Sequence, residues 1–229
     1  MPDEWPKDNP SGGGMTAVPL FPLPNVVLFP RAILPLHIFE ERYKTMIAEA
    51  LDGDRQIAMA VLQPGWEKSY HGAAAIDPVV CVGIILAHEQ LDDGRYNLLL
   101  QGTARARIVR EITLHPYRTA ELQPLQELPV LEIDLSNQRR HLISIFSNGR
   151  FTSVPLCQKF LEMLRSPVPT SDIADLVAFN LLDDVRLKQQ LLSEPDPRKR
   201  AERVASALER LQVIARPESD ELSGDVSLN

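Results

Sequence analysis

The side chain with the clearest potential for covalent chemistry is Ser11, in the run PKDNPSGGGM from Pro6 to Met15. A serine hydroxyl acts as a nucleophile only where a positioned base takes its proton and fixed donors form an oxyanion hole. Residues 1–16 are rich in proline, glycine and charge, and such a segment buries too little apolar surface to offset the entropy lost on ordering. The sequence therefore predicts a disordered tail and no catalytic role for Ser11. Met15 is a candidate for the true translation start.

Phosphate chemistry is not supported by the glycines. A loop that cradles nucleotide phosphates has the spacing G-x-x-x-x-G-K-[ST] between a strand and a helix. The triple glycine Gly12–Gly14 is followed by Met15 rather than lysine and lies in the predicted tail. The sequence thus predicts neither ATP hydrolysis nor a cofactor.

The histidines and cysteines lack the spacing of a metal site. The five histidines are His37, His71, His88, His115 and His141. None forms an HxH or HExxH motif, and no CxxC pair occurs. Cys81 and His88 are seven residues apart in one predicted strand, which places them on opposite faces. We expect no metal and no disulfide, and two distant cysteines in apolar surroundings fit a reducing cytoplasm.

The charge pattern disfavours nucleic acids and membranes. The net charge is -7, whereas phosphate binding requires clustered lysine and arginine. Arg105, Arg107 and Arg110 could form a basic strand edge, so RNA binding stays an alternative, although aromatic residues for base stacking make up 6% of the chain. A second basic cluster, predicted to be a solvated helix face, comprises Arg198, Lys199, Arg200 and Arg203. No apolar run approaches the roughly 18 residues of a membrane span.

Residues 17–127 have the pattern of a β-domain, with short apolar runs separated by turn residues. The predicted strands are AVPLF from Ala17, QIAMAVL from Gln56, VVCVGIILAH from Val79, RYNLLLQ from Arg95 and ARARIVREI from Ala104. Asp93-Gly94 and Gln101-Gly102 are predicted hairpin turns, so the sheet should be largely an antiparallel meander. One inserted helix is predicted from apolar residues at helical spacing, with Gly53 as its stop. Those residues are Phe39, Tyr43, Met46, Ile47, Ala50 and Leu51.

Residues 128–216 have helical periodicity throughout, following the proline-bearing stretch from Gln123 to Leu135. Five apolar stripes predict five helices, and the last begins at Asp196-Pro197, an N-cap followed by proline at the first helical position. Residues 217–229 carry four acids and no base and are predicted to be a disordered tail. The fold class is therefore α+β, a barrel or curled antiparallel sheet followed by a helical bundle.

Three stretches resemble the N-terminal, substrate-recognition domain of the ATP-dependent Lon proteases. The first is VPLFPLPNVVLFPRAILPLHIFEERYKTMI from Val18 to Ile47, with its ordered prolines and apolar pairs. The second runs from Val82 to Val109 and holds a Val-Gly strand, an Asp-Gly hairpin and a Gly-x-x-Arg-x-Arg strand. The third runs from Ala174 to Leu208 and holds a Pro-Asp-Pro helix start. The prolines of the first stretch exclude it from a central strand and predict an edge or bends between short strands.

The resemblance implies a PUA-like β-domain and a non-catalytic module that binds unfolded or apolar polypeptide, with a protease as a possible partner. PKDNPSGGGM also looks like the catalytic-serine segment of the Lon peptidase, but Gly replaces an alanine and Asn9 replaces a glycine. The candidate polypeptide-binding residues are Phe29, His37, Phe39, Arg42 and Tyr43. The alternatives are a PUA-like domain that binds RNA or a small ligand, and a scaffold that forms oligomers through its helical half.

Overall fold

The computed structural model describes residues 17–69, 74–112 and 116–214. Within these ranges the chain forms six strands and six α-helices, an arrangement that confirms the predicted α+β class. The strands are β1 (Ala17–Leu23), β2 (Ile33–Ile38), β3 (Gln56–Val61), β4 (Val79–Gln90), β5 (Tyr96–Ile112) and β6 (Arg118–Pro124). The helices are α1 (Glu41–Asp52), α2 (Ser136–Ser147), α3 (Pro155–Leu164), α4 (Thr170–Leu181), α5 (Val185–Ser193) and α6 (Pro197–Ile214). The predicted tails, with Ser11 and Met15, lie outside the described residues.

Hydrogen bonding closes the sheet into a barrel. The strands β3, β4, β5 and β6 pair antiparallel in chain order, as predicted for a meander. The ring is completed by β1, which pairs antiparallel with β6 and parallel with β3. The remaining strand, β2, pairs with the first half of β5 and lies at the end of the strand order. Pro35 is therefore in an edge strand, where a residue without an N–H is tolerated. The prediction that the prolines exclude this stretch from a central strand is wrong for β1, which contains Pro22 and lies between β3 and β6. Its first half pairs with β6 and its second half with β3, so Pro22 has a paired neighbour on one side only.

The two faces of the barrel strands enter different cores. Alternate residues from all the barrel strands form one cluster in the barrel interior: Val18, Leu20, Ala58, Ala60, Val80, Val82, Ala106, Ala120 and Leu122. Many are alanine or valine because the interior of a small barrel is narrow. The intervening residues, such as Ile57, Met59 and Cys81, belong to a larger cluster that continues through the helices to Leu208. The barrel and the helices thus share one continuous apolar core.

One strand differs from its prediction. The sequence predicts two strands joined by a turn at Gln101-Gly102, but β5 is continuous over 17 residues, so that turn prediction is wrong. Gly102 instead meets the backbone of the preceding segment, donating to Ala32 O (2.9 Å) and accepting from Arg31 N (2.8 Å). The predicted turn at Asp93-Gly94 is confirmed, and Gly94 has a φ of 78°.

The inserted helix and the five helices of the second half are all present, which confirms the prediction of these helices. They were predictable because their apolar residues recur with the 3.6-residue period of a helix. Asp196 caps α6, accepting from the backbone N–H of Arg198 at 3.0 Å. The inserted helix α1 ends where Gly53 donates to the carbonyls of Glu49 and Ala50, both at 3.2 Å. None of the helices in the described ranges is long and apolar enough to span a membrane.

The carboxylate of Glu132, in the 3-10 helix Glu132–Leu135 that precedes α2, holds the start of α4. The backbone N–H of Thr170 donates to Glu132 at 3.1 Å, and its hydroxyl donates to the same carboxylate. Arg139 pairs with Glu132 at 2.7 Å and also donates to carbonyls at the end of α3. Partial burial alone would raise the pKa of Glu132, but the hydrogen bonds from Thr170 and Arg139 outweigh it and hold this pKa below its ordinary value.

We expect Glu132→Gln to lower the free energy of unfolding at neutral pH and to have little effect in acid. A carboxyl with a lowered folded-state pKa stabilises the protein above its unfolded pKa of about 4.3 and loses that contribution as the pH falls through the folded value. Urea denaturation of both proteins across this range measures the difference. A gap between them that persists or grows in acid would contradict the assignment.

Candidate functional site

The outward face of β2, β5 and β4 forms a shallow groove with a volume of about 500 Å3. Strand pairing sets Pro35 opposite Leu99 and His37 opposite Asn97 across β2 and β5. On the other side of β5, Ala87 lies opposite Leu99 and Glu89 opposite Asn97. Directly opposed residues share a face of an antiparallel sheet. We call this surface the sheet-face groove and define it by Pro35, His37, Ala87, Glu89, Asn97 and Leu99.

Large apolar side chains are exposed on and around the sheet-face groove. Phe39 is 64% exposed, Ile33 48%, Leu86 46% and Leu99 41%. Scattered apolar residues are common on protein surfaces, whereas several on neighbouring strands form a patch of the kind that binds partners. The groove can therefore bury apolar side chains of another molecule.

Polar contacts fix one end of the sheet-face groove. His37 Nδ1 lies 2.7 Å from Asn97 Oδ1, and Asn97 Nδ2 donates to Glu89 at 3.2 Å. Arg95 donates to His37 Nε2 at 3.4 Å and pairs with Asp93 at 2.6 Å. The imidazole also stacks on Phe39, with ring centroids 6.3 Å apart. These contacts hold His37 and Phe39 at the surface, beside the apolar floor.

The five predicted binding residues lie in two different environments. His37 and Phe39 are exposed at the sheet-face groove, as just described. Phe29 is fully buried, and Tyr43 is buried against Phe21 with ring centroids 4.5 Å apart. Arg42 is half-buried above the Tyr43 ring, at 4.5 Å from its centroid. The prediction that Phe39 lies on the apolar face of α1 is wrong, because α1 begins after it and the side chain faces solvent.

Leu99 and Ile33 were not predicted as surface residues. Both lie in runs, RYNLLLQ and ILPLHI, in which apolar residues occupy successive positions. When an antiparallel strand has apolar residues on both faces, one apolar face is exposed to solvent unless another part of the protein covers that face. The successive apolar residues are visible in the sequence, but which of them face solvent can be decided only once β2 is known to pair with β5.

A buried ion-pair network lies between strand β5 of the barrel and the helices α4 and α6, and it contains two arginines that the sequence predicted to be solvated. Arg105 Nη2 lies 2.6 Å from Asp175 and its Nη1 lies 2.9 Å from Glu127. Arg200 reaches the same two carboxylates, at 3.3 Å from Asp175 and 2.9 Å from Glu127. Burial alone would lower the pKa of Arg105, but the two carboxylates outweigh it and raise this pKa above its ordinary value.

The network corrects two predictions. Arg105 is 5% exposed and Arg200 1%, so neither belongs to a basic strand edge or a solvated helix face. Arg110 pairs with Glu121, which leaves Arg107 as the exposed arginine of that strand without an ion pair to a carboxylate among the described residues. A continuous basic surface for RNA is therefore not formed by these arginines.

The part of the chain that the structure describes contains no metal site, and the Cys81 thiol is not placed for nucleophilic chemistry. No group of three or more histidine, cysteine or acidic side chains is arranged there to hold a metal ion. Cys81 is fully buried, and this burial raises the pKa of its thiol to about 12. A thiol that stays protonated at neutral pH is a poor nucleophile.

The comparisons with known proteins agree on one family. The model of the ATP-dependent protease La (LON) substrate-binding domain matches residues 17–210. The Lon protease of Trichlorobacter lovleyi is 31% identical over 205 residues, which are 84% of this chain and 24% of that protein. The Lon protease of Desulfosudis oleivorans is 27% identical over 191 residues, which are 83% of this chain and 23% of that protein. The chain thus spans about a quarter of these relatives.

Solved structures share the fold. The N-terminal domain of the Mycobacterium avium complex Lon protease superposes with a TM-score of 0.66 at 14% identity, covering 85% of this chain and 98% of that one. A Lon N-terminal domain protein from Xanthomonas campestris gives a TM-score of 0.58 at 21% identity, covering 83% and 98%. At these identities the likeness concerns the architecture, and it confirms the predicted fold.

Proposed function

Because the chain belongs to the family of Lon substrate-binding domains, we propose that it is a non-catalytic recognition module that binds unfolded or apolar polypeptide through the sheet-face groove. A cytoplasmic protease that receives the bound polypeptide is the natural partner. The observation that supports this proposal is the cluster of exposed apolar side chains formed by Phe39, directly after β2, together with Ile33 on β2, Leu86 on β4 and Leu99 on β5.

Binding at such a surface is driven by removing apolar area from water, worth about 25 cal/mol for each Å2 buried. Part of this gain is lost again, since the flexible polypeptide must become ordered. A shallow, open groove buries only a few side chains at once. Affinity should therefore be weak and tolerant of sequence, which suits a module that selects unfolded chains rather than one partner.

The free edge of β2 is a poor alternative docking site. An extended peptide adds to an edge strand through a row of main-chain donors and acceptors. Pro35, in the middle of β2, has no N–H to offer, and proline is a common means of blunting a sheet edge. We therefore place recognition on the side-chain face of the sheet.

The double variant Phe39→Ser, Leu99→Ser is expected to weaken binding of a reduced and alkylated model protein about thirtyfold, since each of the two lost apolar contacts contributes about 1 kcal/mol. Both side chains are exposed, so folding should be retained. Fluorescence anisotropy of the labelled unfolded protein measures the affinity.

Val109→Ser is the matched control, because Val109 is 53% exposed on the same strand β5 but lies outside the sheet-face groove. Equal losses in the control and the double variant would point to nonspecific stickiness and contradict the proposal. Hydrogen exchange gives an independent location: bound polypeptide should protect β2 and the adjoining segments of β4 and β5.

A further inference from the structure

A second cavity, separate from the sheet-face groove, lies where the end of β3 meets α5. Its volume is about 200 Å3, smaller than the roughly 300–1,000 Å3 of sites for drug-sized ligands. Leu62, Pro64 and Trp66 supply apolar and aromatic walls. The size and lining suit a compact molecule with a small apolar body.

Gln189 gives this cavity an unused acceptor. Its side-chain Nε2 donates to the carbonyl of Val79 at 2.8 Å, which fixes the orientation of the amide. Its Oε1 is buried and has no hydrogen-bond partner among residues 17–69, 74–112 and 116–214, and the whole residue is 7% exposed. A buried acceptor without a donor is unfavourable, so a ligand that brings an N–H to this place gains a hydrogen bond.

The two charged groups that line the cavity are of opposite sign. Asp77 is held through its backbone N–H, which donates to Val61 O at 2.9 Å. Neither the carboxylate of Asp77 nor the guanidinium of Arg186 forms an ion pair in the described part of the chain. Arg186 is exposed on α5, whereas Gln189 is buried three residues further along the helix. The hydrogen-bond acceptors of the cavity are thus Gln189 Oε1 and the Asp77 carboxylate, whereas the guanidinium of Arg186 lies toward its rim.

We propose that this cavity binds an α-ammonium group that carries a small apolar side chain. The ammonium N–H groups would donate to Gln189 Oε1 and to the Asp77 carboxylate, and the side chain would pack against Leu62, Pro64 and Trp66. Charge-assisted hydrogen bonds of this kind are the strong ones, and the indole adds an attraction for the cation. A free apolar amino acid brings a carboxylate for Arg186 as well. The N-terminal residue of a polypeptide has the same ammonium without that carboxylate.

Trp66 permits a direct test. The other tryptophan of the chain is Trp5, so in a Trp5→Phe background the emission reports on Trp66 alone. The full chain is titrated with leucine, with leucinamide, which lacks the carboxylate, and with N-acetyl-leucine, which lacks the ammonium. We expect a saturable change with leucine or leucinamide and none with N-acetyl-leucine. Tighter binding of leucine identifies a free amino acid, and equal binding of leucinamide identifies a polypeptide N-terminus.

Asp77→Asn should weaken this binding about tenfold, while Asp92→Asn, in the exposed β4–β5 hairpin, should not change it. In the unaltered protein, leucine should also shift the backbone amide signals of residues 61–66 and 185–189, a readout that does not depend on how well Asp77→Asn folds. The proposal is overturned if no ligand gives a saturable response, if N-acetyl-leucine binds as well as leucine, or if Asp77→Asn folds and binds unchanged.

Discussion

Replacing Asp175 with asparagine should lower the free energy of unfolding by about 3–5 kcal/mol, because it leaves two buried arginines without a full counter-charge. The Asp175 carboxylate lies 2.6 Å from Arg105 and 3.3 Å from Arg200, and both guanidinium groups are almost completely buried. Glu127, the other carboxylate of the network, is 38% exposed and less able to hold both cations. Urea denaturation followed by circular dichroism measures the loss.

The matched control is Asp93→Asn, in the surface pair between Asp93 and Arg95, whose side chains are about half exposed. Water and salt screen such a pair, so its loss should leave the denaturation midpoint unchanged. If Asp175→Asn were as mild as this control, the buried network would not contribute to stability as argued.

The same network joins the barrel to the helices. Arg105 lies on β5, Asp175 on α4 and Arg200 on α6, and Arg105 also donates to the carbonyl of Leu192 at the end of α5, at 3.1 Å. With the continuous apolar core, these contacts lead us to propose that the two halves unfold together. In the Trp5→Phe background, Trp66 fluorescence, which follows the barrel side, and circular dichroism, which follows the helices, should then give coincident transitions.

The elements of the helical half were predictable because each is specified locally. Apolar residues recur at helical spacing in each helix, and the ends carry recognisable signals such as Asp196 before Pro197. Such signals depend on neighbours within a few positions, so they can be read from one sequence. The same applies to Gly94, whose positive φ is a local requirement of its turn.

The network and the sheet-face groove could not be predicted in this way, because each depends on contacts between distant positions. Arg105 and Asp175 are 70 residues apart, and isolated in the sequence each resembles an ordinary surface charge. Likewise, Leu99 becomes a groove residue only because β2 covers one edge of β5 and leaves its outward face open. The sequence pattern supplied the apolar residues, but the pairing decides which of them face solvent.

Gly102 shows how a local signal can mislead. A glycine after glutamine between two apolar runs is typical of a hairpin, yet this glycine is needed for a close approach rather than for a turn. A Cβ placed on it would lie 2.1 Å from the backbone oxygen of Phe29 and 3.1 Å from the sulfur of Cys81. Glycine allows the segment before β2 to pack directly on β5 and exchange hydrogen bonds with it.

Gly102→Ala should therefore be among the most damaging small substitutions in this protein, costing more than about 3 kcal/mol of the free energy of unfolding. The atom that the new methyl group meets is backbone, so a change of rotamer cannot relieve the clash. Relief requires the Phe29–Ala32 segment to move off β5 and give up the hydrogen bonds to Gly102. Because this segment leads into β2, we also expect faster hydrogen exchange along β2 and loss of the sheet-face groove.

Gly53→Ala is the matched control, since a Cβ there meets its nearest neighbour at 3.6 Å, an ordinary contact distance, and the φ of Gly53 is -108°. Because the ψ of Gly53, -136°, lies outside the regions that alanine prefers, the variant should cost about 1 kcal/mol, well below the loss expected for Gly102→Ala. Urea denaturation and hydrogen exchange of the two variants measure both effects. If Gly102→Ala retained the stability of the Gly53→Ala control and the exchange protection of β2, the close packing of the Phe29–Ala32 segment on β5 would be wrong, and with it the argument that glycine is required at this position.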